Sequence, residues 1–174
     1  MALITTYLEM VSPEQLRAKG CADSRFQVRE EMTRDGQFNR DLYLAVGENW
    51  SWTDKRPWTD EQWKDYGQAT ALRTFGAYHG EALAGYYELH QDSDGDVEIA
   101  YFGLLPEFVG RGFGAALLTS AIEQAWRVSP SPARVWVHTC NRDHPGALAN
   151  YQARGMTIYK VEETEESEAV QKEG

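Results

Sequence analysis

Gly110, Gly112 and Gly114 alternate along five positions, and the hydrophobic period of the chain changes across them. Before them, residues 70–79, 81–91 and 96–104 read as three consecutive strands, joined through His79-Gly80 and the turn sequence Asp92-Ser93-Asp94-Gly95. After them, Phe113, Ala116, Leu117, Ala121 and Ile122 recur at the spacing of an amphipathic helix. That helix runs to about Val128, where Ser129-Pro130-Ser131-Pro132 stops it. A meander that passes straight into a helix must lay that helix on a face of its own sheet. The segment therefore commits the chain to an α/β (α+β) fold: a mixed, mostly antiparallel twisted sheet flanked by helices.

The flanking segments extend this pattern. Residues 2–10 are apolar enough for a first strand, and Ser12-Pro13-Glu14-Gln15 reads as a helix start, with Ser12 capping and Gln15 bonding back. Residues 26–29 alternate and residues 42–46 form a short apolar run ended by Gly47; both read as strands. Residues 49–66 carry four of the six tryptophans, Trp50, Trp52, Trp58 and Trp63, together with Pro57 and the capping-box sequence Thr59-Asp60-Glu61-Gln62. That stretch predicts a loop followed by a short helix. Residues 134–139 read as a strand, 146–154 as a helix closed by Gly155, and 157–161 as the last strand. With no repeat or linker, residues 1–161 are expected to form one domain and residues 162–174 a flexible acidic tail.

Charge and cysteine content narrow the function classes. Acidic residues outnumber basic ones by 27 to 17 in the 174-residue chain, for a formal net charge of -10. Residues 161–174 alone hold six Glu against one Lys. A nucleic-acid binder needs a basic face, so that class is excluded. No apolar run approaches the roughly 20 residues of a membrane helix, and Met1 to Thr6 lacks the basic region of a secretory signal. Cys21 and Cys140 are too few for a disulfide framework. The expectation is a cytoplasmic protein.

The glycine loop, Leu104-Leu105-Pro106-Glu107-Phe108-Val109-Gly110-Arg111-Gly112-Phe113-Gly114, offers two readings. Glycines allow a backbone to approach a ligand closely, and a helix start presents unpaired N–H groups suited to phosphate oxygens. The same residues serve equally well as a tight turn that lets the helix pack. Gly110, Gly112 and Ala115 also match the dinucleotide fingerprint formally, but that motif opens a parallel βαβ sheet and needs an acidic residue after the next strand. Here a meander precedes the loop, and the next strand reads Arg134-Val135-Trp136-Val137-His138-Thr139. A P-loop is excluded because no Gly-Lys-Ser/Thr occurs.

Strand, Pro106, glycine loop and helix, followed by a strand, Asn141 and a Tyr before Gly155-Met156, resemble the GNAT acyltransferase superfamily over residues 72–161. The family's pyrophosphate pattern, Gln/Arg-x-x-Gly-x-Gly/Ala, falls on Val109-Gly110-Arg111-Gly112-Phe113-Gly114, with Val109 departing from it at the first position. The resemblance implies that Leu104 and Leu105 hold the pantetheine arm of acetyl-CoA through their main chain. It implies too that amides from Val109 to Gly114 hold the pyrophosphate, that Asn141 contacts the coenzyme, and that Tyr151 lies near the thioester sulfur.

Acyl transfer to an amine requires loss of an amine proton, stabilisation of an oxyanion and quenching of a thiolate. Tyr151 supplies a phenol that is protonated at neutral pH, its alternative role being a ring packed on the sheet. Glu98, on the strand entering the glycine loop, is the candidate general base; Glu88, His90 or a chain of waters are the alternatives. His138, Cys140 and His144 fit no standard zinc spacing, so no metal is expected. Trp50, Trp52, Trp58 and Trp63 form either an acceptor-binding wall or a local hydrophobic minicore. The acidic balance favours a small-molecule or peptide amine as acceptor. A homodimer is within expectation. The alternative function is a non-catalytic module on the same fold that binds or senses acyl-CoA.

Overall fold

The computed structural model of the protein describes residues 2–165. Its centre is the meander β3 (Leu72–His79), β4 (Ala82–Gln91) and β5 (Val97–Leu104), preceded by β2 (Phe26–Glu30) and by two helices, α1 (Gln37–Gly47) and α2 (Asp60–Gln68). After β5 come the glycine loop, α3 (Phe113–Trp126), β6 (Val135–Cys140), α4 (Ala147–Ala153) and β7 (Thr157–Glu165). The first strand, β1 (Ala2–Met10), does not join the meander. It lies between β6 and β7, antiparallel to both, in a seven-stranded sheet of order β2-β3-β4-β5-β6-β1-β7.

One junction sets the function of this sheet. β5 and β6 are its parallel pair, and they are paired only at Val97↔Val135 and Glu98↔Trp136. Beyond Glu98 the strands part, and the edge of β5 from Ile99 to Leu104 loses its neighbour. Ala100 is an extra residue opposite the Glu88/Leu89 step of β4, a bulge that increases local twist at the point of separation.

Helices cover the two faces differently. α3 and α4 lie over a dry core built from Leu8, Met10, Leu89, Ile99, Leu117, Leu118, Ile122, Val135 and Val137. α1 and α2 cover the opposite face, where Leu42, Val46 and Tyr86 form a smaller cluster. α1 can come this close because a Cβ on Gly103 would collide with Val46 Cγ1.

Three local expectations are corrected. Residues 42–46 belong to α1 and are not a strand: Phe38, Leu42 and Val46 recur every four residues on the face towards Tyr86, and the intervening apolar residues mask that period. The start at Ser12 produces only a 3-10 turn, Pro13–Gln15, with Ser12 Oγ accepting from the Glu14 N–H and Gln15 Oε1 from the Val11 N–H. The acidic end begins later than residue 162, because Glu162–Glu165 continue β7 and Glu165 pairs with Ala2. The rest of the expected tail lies outside the described residues. The second capping box forms as expected: the Gln62 N–H donates to Thr59 Oγ1 and the Thr59 N–H to Gln62 Oε1.

Candidate active site

The parted strands open a cleft of about 520 Å³, a volume suited to a small-molecule site. Ile99 to Leu104 form one wall, Val137, His138 and Cys140 the other, and Val109, Gly110 and Gly114 stand at one end. The main-chain groups facing the opening follow from pairing. The Leu105 N–H donates to the Ala84 carbonyl at 2.7 Å. Antiparallel alternation then directs the main chain of Gly103 and Tyr101 towards β4, and that of Leu104 and Phe102 towards the cleft. Leu104 thus turns its main chain towards the cleft and lines it. Leu105 has its N–H committed to Ala84 and does not line the cleft.

The glycine loop leads from β5 into α3. Gly110 and Gly112 have φ of 80° and 85°, left-handed values that strain any residue carrying a Cβ, and open space surrounds both. Gly112 is the N-cap of α3 and no side chain caps the helix, so its first amides are left for an incoming anion. Asn150 of α4 donates through Nδ2 to the Gly114 carbonyl at 3.1 Å and clamps the loop from inside the cleft. Phe113 is buried and stacks on Phe26, while the Arg111 guanidinium lies 5.1 Å from the Phe113 ring; neither side chain lines the cleft. Val109 does, as an exposed apolar residue. An extended phosphate-bearing ligand fits this arrangement: a loop with glycine at three alternate positions, unclaimed amides and an open strand edge in line.

Tyr151, on α4, reaches the cleft from the dry side. Its ring packs 6.2 Å from that of Phe102, and its hydroxyl makes no hydrogen bond among the described residues. Burial holds this phenol well above its ordinary pKa, so it stays protonated. Asn141 is occupied elsewhere: its side chain bonds the Ile4 N–H and the Ala2 carbonyl, both at 3.1 Å, tying β6 to β1. It does not line the cleft, whereas Asn150 does.

Glu98 sits at the point where the strands separate. Its carboxylate stands behind the wall, and His138 is the residue that lines it, with Nε2 at 3.5 Å from Glu98 Oε1. Burial raises the Glu98 pKa, partly offset by His138 and His90. Glu88 is deeper still, buried on the α1/α2 face, where it accepts from Asn39 Nδ2 at 2.7 Å and from the Tyr66 hydroxyl. Desolvation pushes it up to about 7.

The tryptophans divide between the two roles set out for them. Trp50 and Trp52 line the cleft; Trp50 meets the His144 ring edge-on at 5.1 Å, and Trp52 does the same with Tyr101. Trp63 is buried among Tyr43, Trp58 and Tyr66, and neither it nor Trp58 reaches the cleft. Sequence reasoning missed Asn150, Tyr101 and the cleft position of His138. For Asn150 the signal was its adjacency to Tyr151; the other two depend on strand register. Among the described residues, no three His, Cys, Asp or Glu side chains stand together as a metal-ligating group, and no helix is long and apolar enough to cross a membrane.

The sheet is mixed and split between β5 and β6, with a glycine turn at the mouth of the split. The sequence model of the acetyltransferase (GNAT) family matches residues 36–156, and the chain belongs to that family. Solved structures share the fold at low identity. A GCN5-related N-acetyltransferase from Sphaerobacter thermophilus is 18% identical over 92% of this chain and 50% of its own, with a TM-score of 0.69. One from Kribbella flavida is 14% identical over 97% of this chain and 60% of its own, with a TM-score of 0.65. The ribosomal-protein-S18-alanine N-acetyltransferase from Escherichia coli is 15% identical over 78% of this chain and 79% of its own, with a TM-score of 0.58. The chain spans only 50% to 60% of the length of the first three structures it matches. No curated protein matches it in sequence.

Proposed function

We propose that this chain is an N-acetyltransferase that moves an acetyl group from acetyl-CoA to a primary amine by direct attack, without a covalent enzyme intermediate. The observation that carries the reading is the open edge of β5 leading to a turn with two left-handed glycines, Gly110 and Gly112, with the Tyr151 phenol lining the same cleft. Acetyl-CoA, when bound, supplies an activated thioester. Amides of the glycine loop and the first turn of α3 hold its phosphates, and main-chain groups of Leu104 and Phe102 grip its arm as a strand would. An N–H on the same edge polarises the carbonyl that is attacked.

Proton traffic falls to three side chains. His138 takes the amine proton, since its ring lines the cleft in front of the Glu98 carboxylate. Glu98 behind it orients the ring and stabilises the charge it gains. Tyr151 gives its proton to the departing sulfur. Trp50 and Trp52 shape the acceptor end. The acidic composition supports a cationic small molecule or peptide amine as acceptor. Calorimetric titration with acetyl-CoA, followed by a screen of thiol release against amino acids, polyamines, aminoglycosides and peptide N-termini, tests the reading. Binding with amine-dependent thiol release is expected. Absence of binding, or no release with any amine, overturns it.

A further inference from the structure

The α1/α2 face already holds an ammonium group of its own. Lys55, in the segment between α1 and α2, has a side chain only 15% exposed, and its Nζ lies against three aromatic rings. The ring centroids are 4.7 Å away for Trp58, 5.0 Å for Tyr101 and 5.4 Å for Tyr66. Nζ also donates to the Tyr101 hydroxyl at 3.0 Å and to Asp54 Oδ2 at 3.3 Å. Glu88 stands behind this box, bonded to the Tyr66 hydroxyl, and the Lys55 charge favours ionisation of Asp54, Glu88 and Glu98 alike. Aromatic faces backed by carboxylates are the chemistry that binds alkylammonium ions.

Two features make Lys55 a removable occupant. The box adjoins the cleft, because Tyr101 and Asp54 both line the cleft wall. The Lys55 main chain is separately anchored, its N–H donating to the Tyr43 hydroxyl at 3.0 Å, so the side chain can leave by rotation alone. We infer that the box formed by Trp58, Tyr66, Tyr101 and Asp54 is the ammonium subsite for the acceptor, and that Lys55 is its internal stand-in, displaced when an aliphatic ammonium enters. The inference rests on the acyl-transfer reading for the identity of the ligand, though not for the existence of the subsite. It also assigns Trp58 a role at the acceptor end that the cleft lining alone does not give it.

Tetramethylammonium is the probe, because it has no N–H to be acylated and does not consume amine-reactive reagent. Wild-type protein is pulsed with the N-hydroxysuccinimide ester of acetic acid, and acetylation of each lysine is read by peptide mass spectrometry. At rest, Lys55 is expected to label slowly beside the exposed Lys19 and Lys64. With the probe present its labelling rises about tenfold while theirs is unchanged, and sodium chloride at equal ionic strength does not reproduce the rise. In Trp58→Leu, Lys55 labels quickly from the start and the probe adds nothing. Unchanged Lys55 labelling at high probe concentration, or an equal rise with sodium chloride, overturns the inference. Acetyl-CoA titration of the same samples keeps the two readings apart. Heat on binding with an inert Lys55 keeps the enzyme and removes the subsite; a displaced Lys55 without heat does the reverse.

Discussion

The two faces of the sheet are built on opposite terms. Under α3 and α4 the protein buries Leu, Ile, Val and Phe side chains against one another in one large cluster, with the buried Arg154 at the end of α4. Under α1 and α2 it buries a carboxylate, an amide and tyrosine hydroxyls bonded in series, with a lysine ammonium against the rings. Burying charge is an expensive way to stabilise a fold, and the first face shows that this chain has a cheaper one. The polar face is where perturbed groups gather, as they do around chemistry. On the proposed reading α3 contributes firmness and a grip on phosphate, α1, α2 and the segment between them contribute acceptor selection, and proton transfer falls to Glu98 of β5, His138 of β6 and Tyr151 of α4.

Gly112→Glu tests the grip most severely. A carboxylate about 4 Å from bound phosphate, on a backbone that already disfavours a side chain, should weaken acetyl-CoA binding about a thousandfold by calorimetry. Labelling of Lys55 should stay as in the wild type, since the box lies on the other face. Leu117→Ala, in the dry core, should lower unfolding free energy by about 3 kcal/mol in urea while leaving acetyl-CoA affinity nearly unchanged. Tyr151→Phe should reduce kcat about a hundredfold with acetyl-CoA affinity and stability preserved, because its hydroxyl makes no hydrogen bond among the described residues.

Glu88→Gln probes the polar face through pH. The buried carboxyl titrates near 7, above its ordinary 4.5, so on raising pH the unfolded chain releases this proton first. The stability that Glu88 confers is therefore present below about 4.5 and is lost as pH rises through about 7. Relative to Glu88→Gln, the wild type should lose about 2 kcal/mol of stability between about pH 5 and about pH 8 in urea unfolding. A flat difference would make this face as inert as the other.

Local signals in the sequence identified the meander, the glycine turn, α3, α4 and the capping box at Thr59, because period, glycine and cap residues act within a few positions. α1 was misread for the same reason: Tyr43, Leu44 and Ala45 fill the gap between Leu42 and Val46, and five consecutive apolar residues look extended. What depended on register was out of reach. Nothing near Glu98 in sequence shows that His138 stands before it, since that contact follows from β5 and β6 parting one step beyond Glu98↔Trp136. That the Asn141 side chain is taken up by the main chain of β1 was likewise hidden, since β1 lies far from it in sequence.

The placing of β1 also governs assembly. β1 precedes the other described strands, yet it must be enclosed by β6 and β7, so this part of the sheet waits until both of those have been made. Its pairings, such as Thr5↔Cys140 and Ala2↔Glu165, join residues from opposite ends and close large loops, which slows folding. Deleting residues 2–10 would strip β7 of its sheet neighbour among the described residues and bare the flank of β6, turning two interior seams into sticky borders.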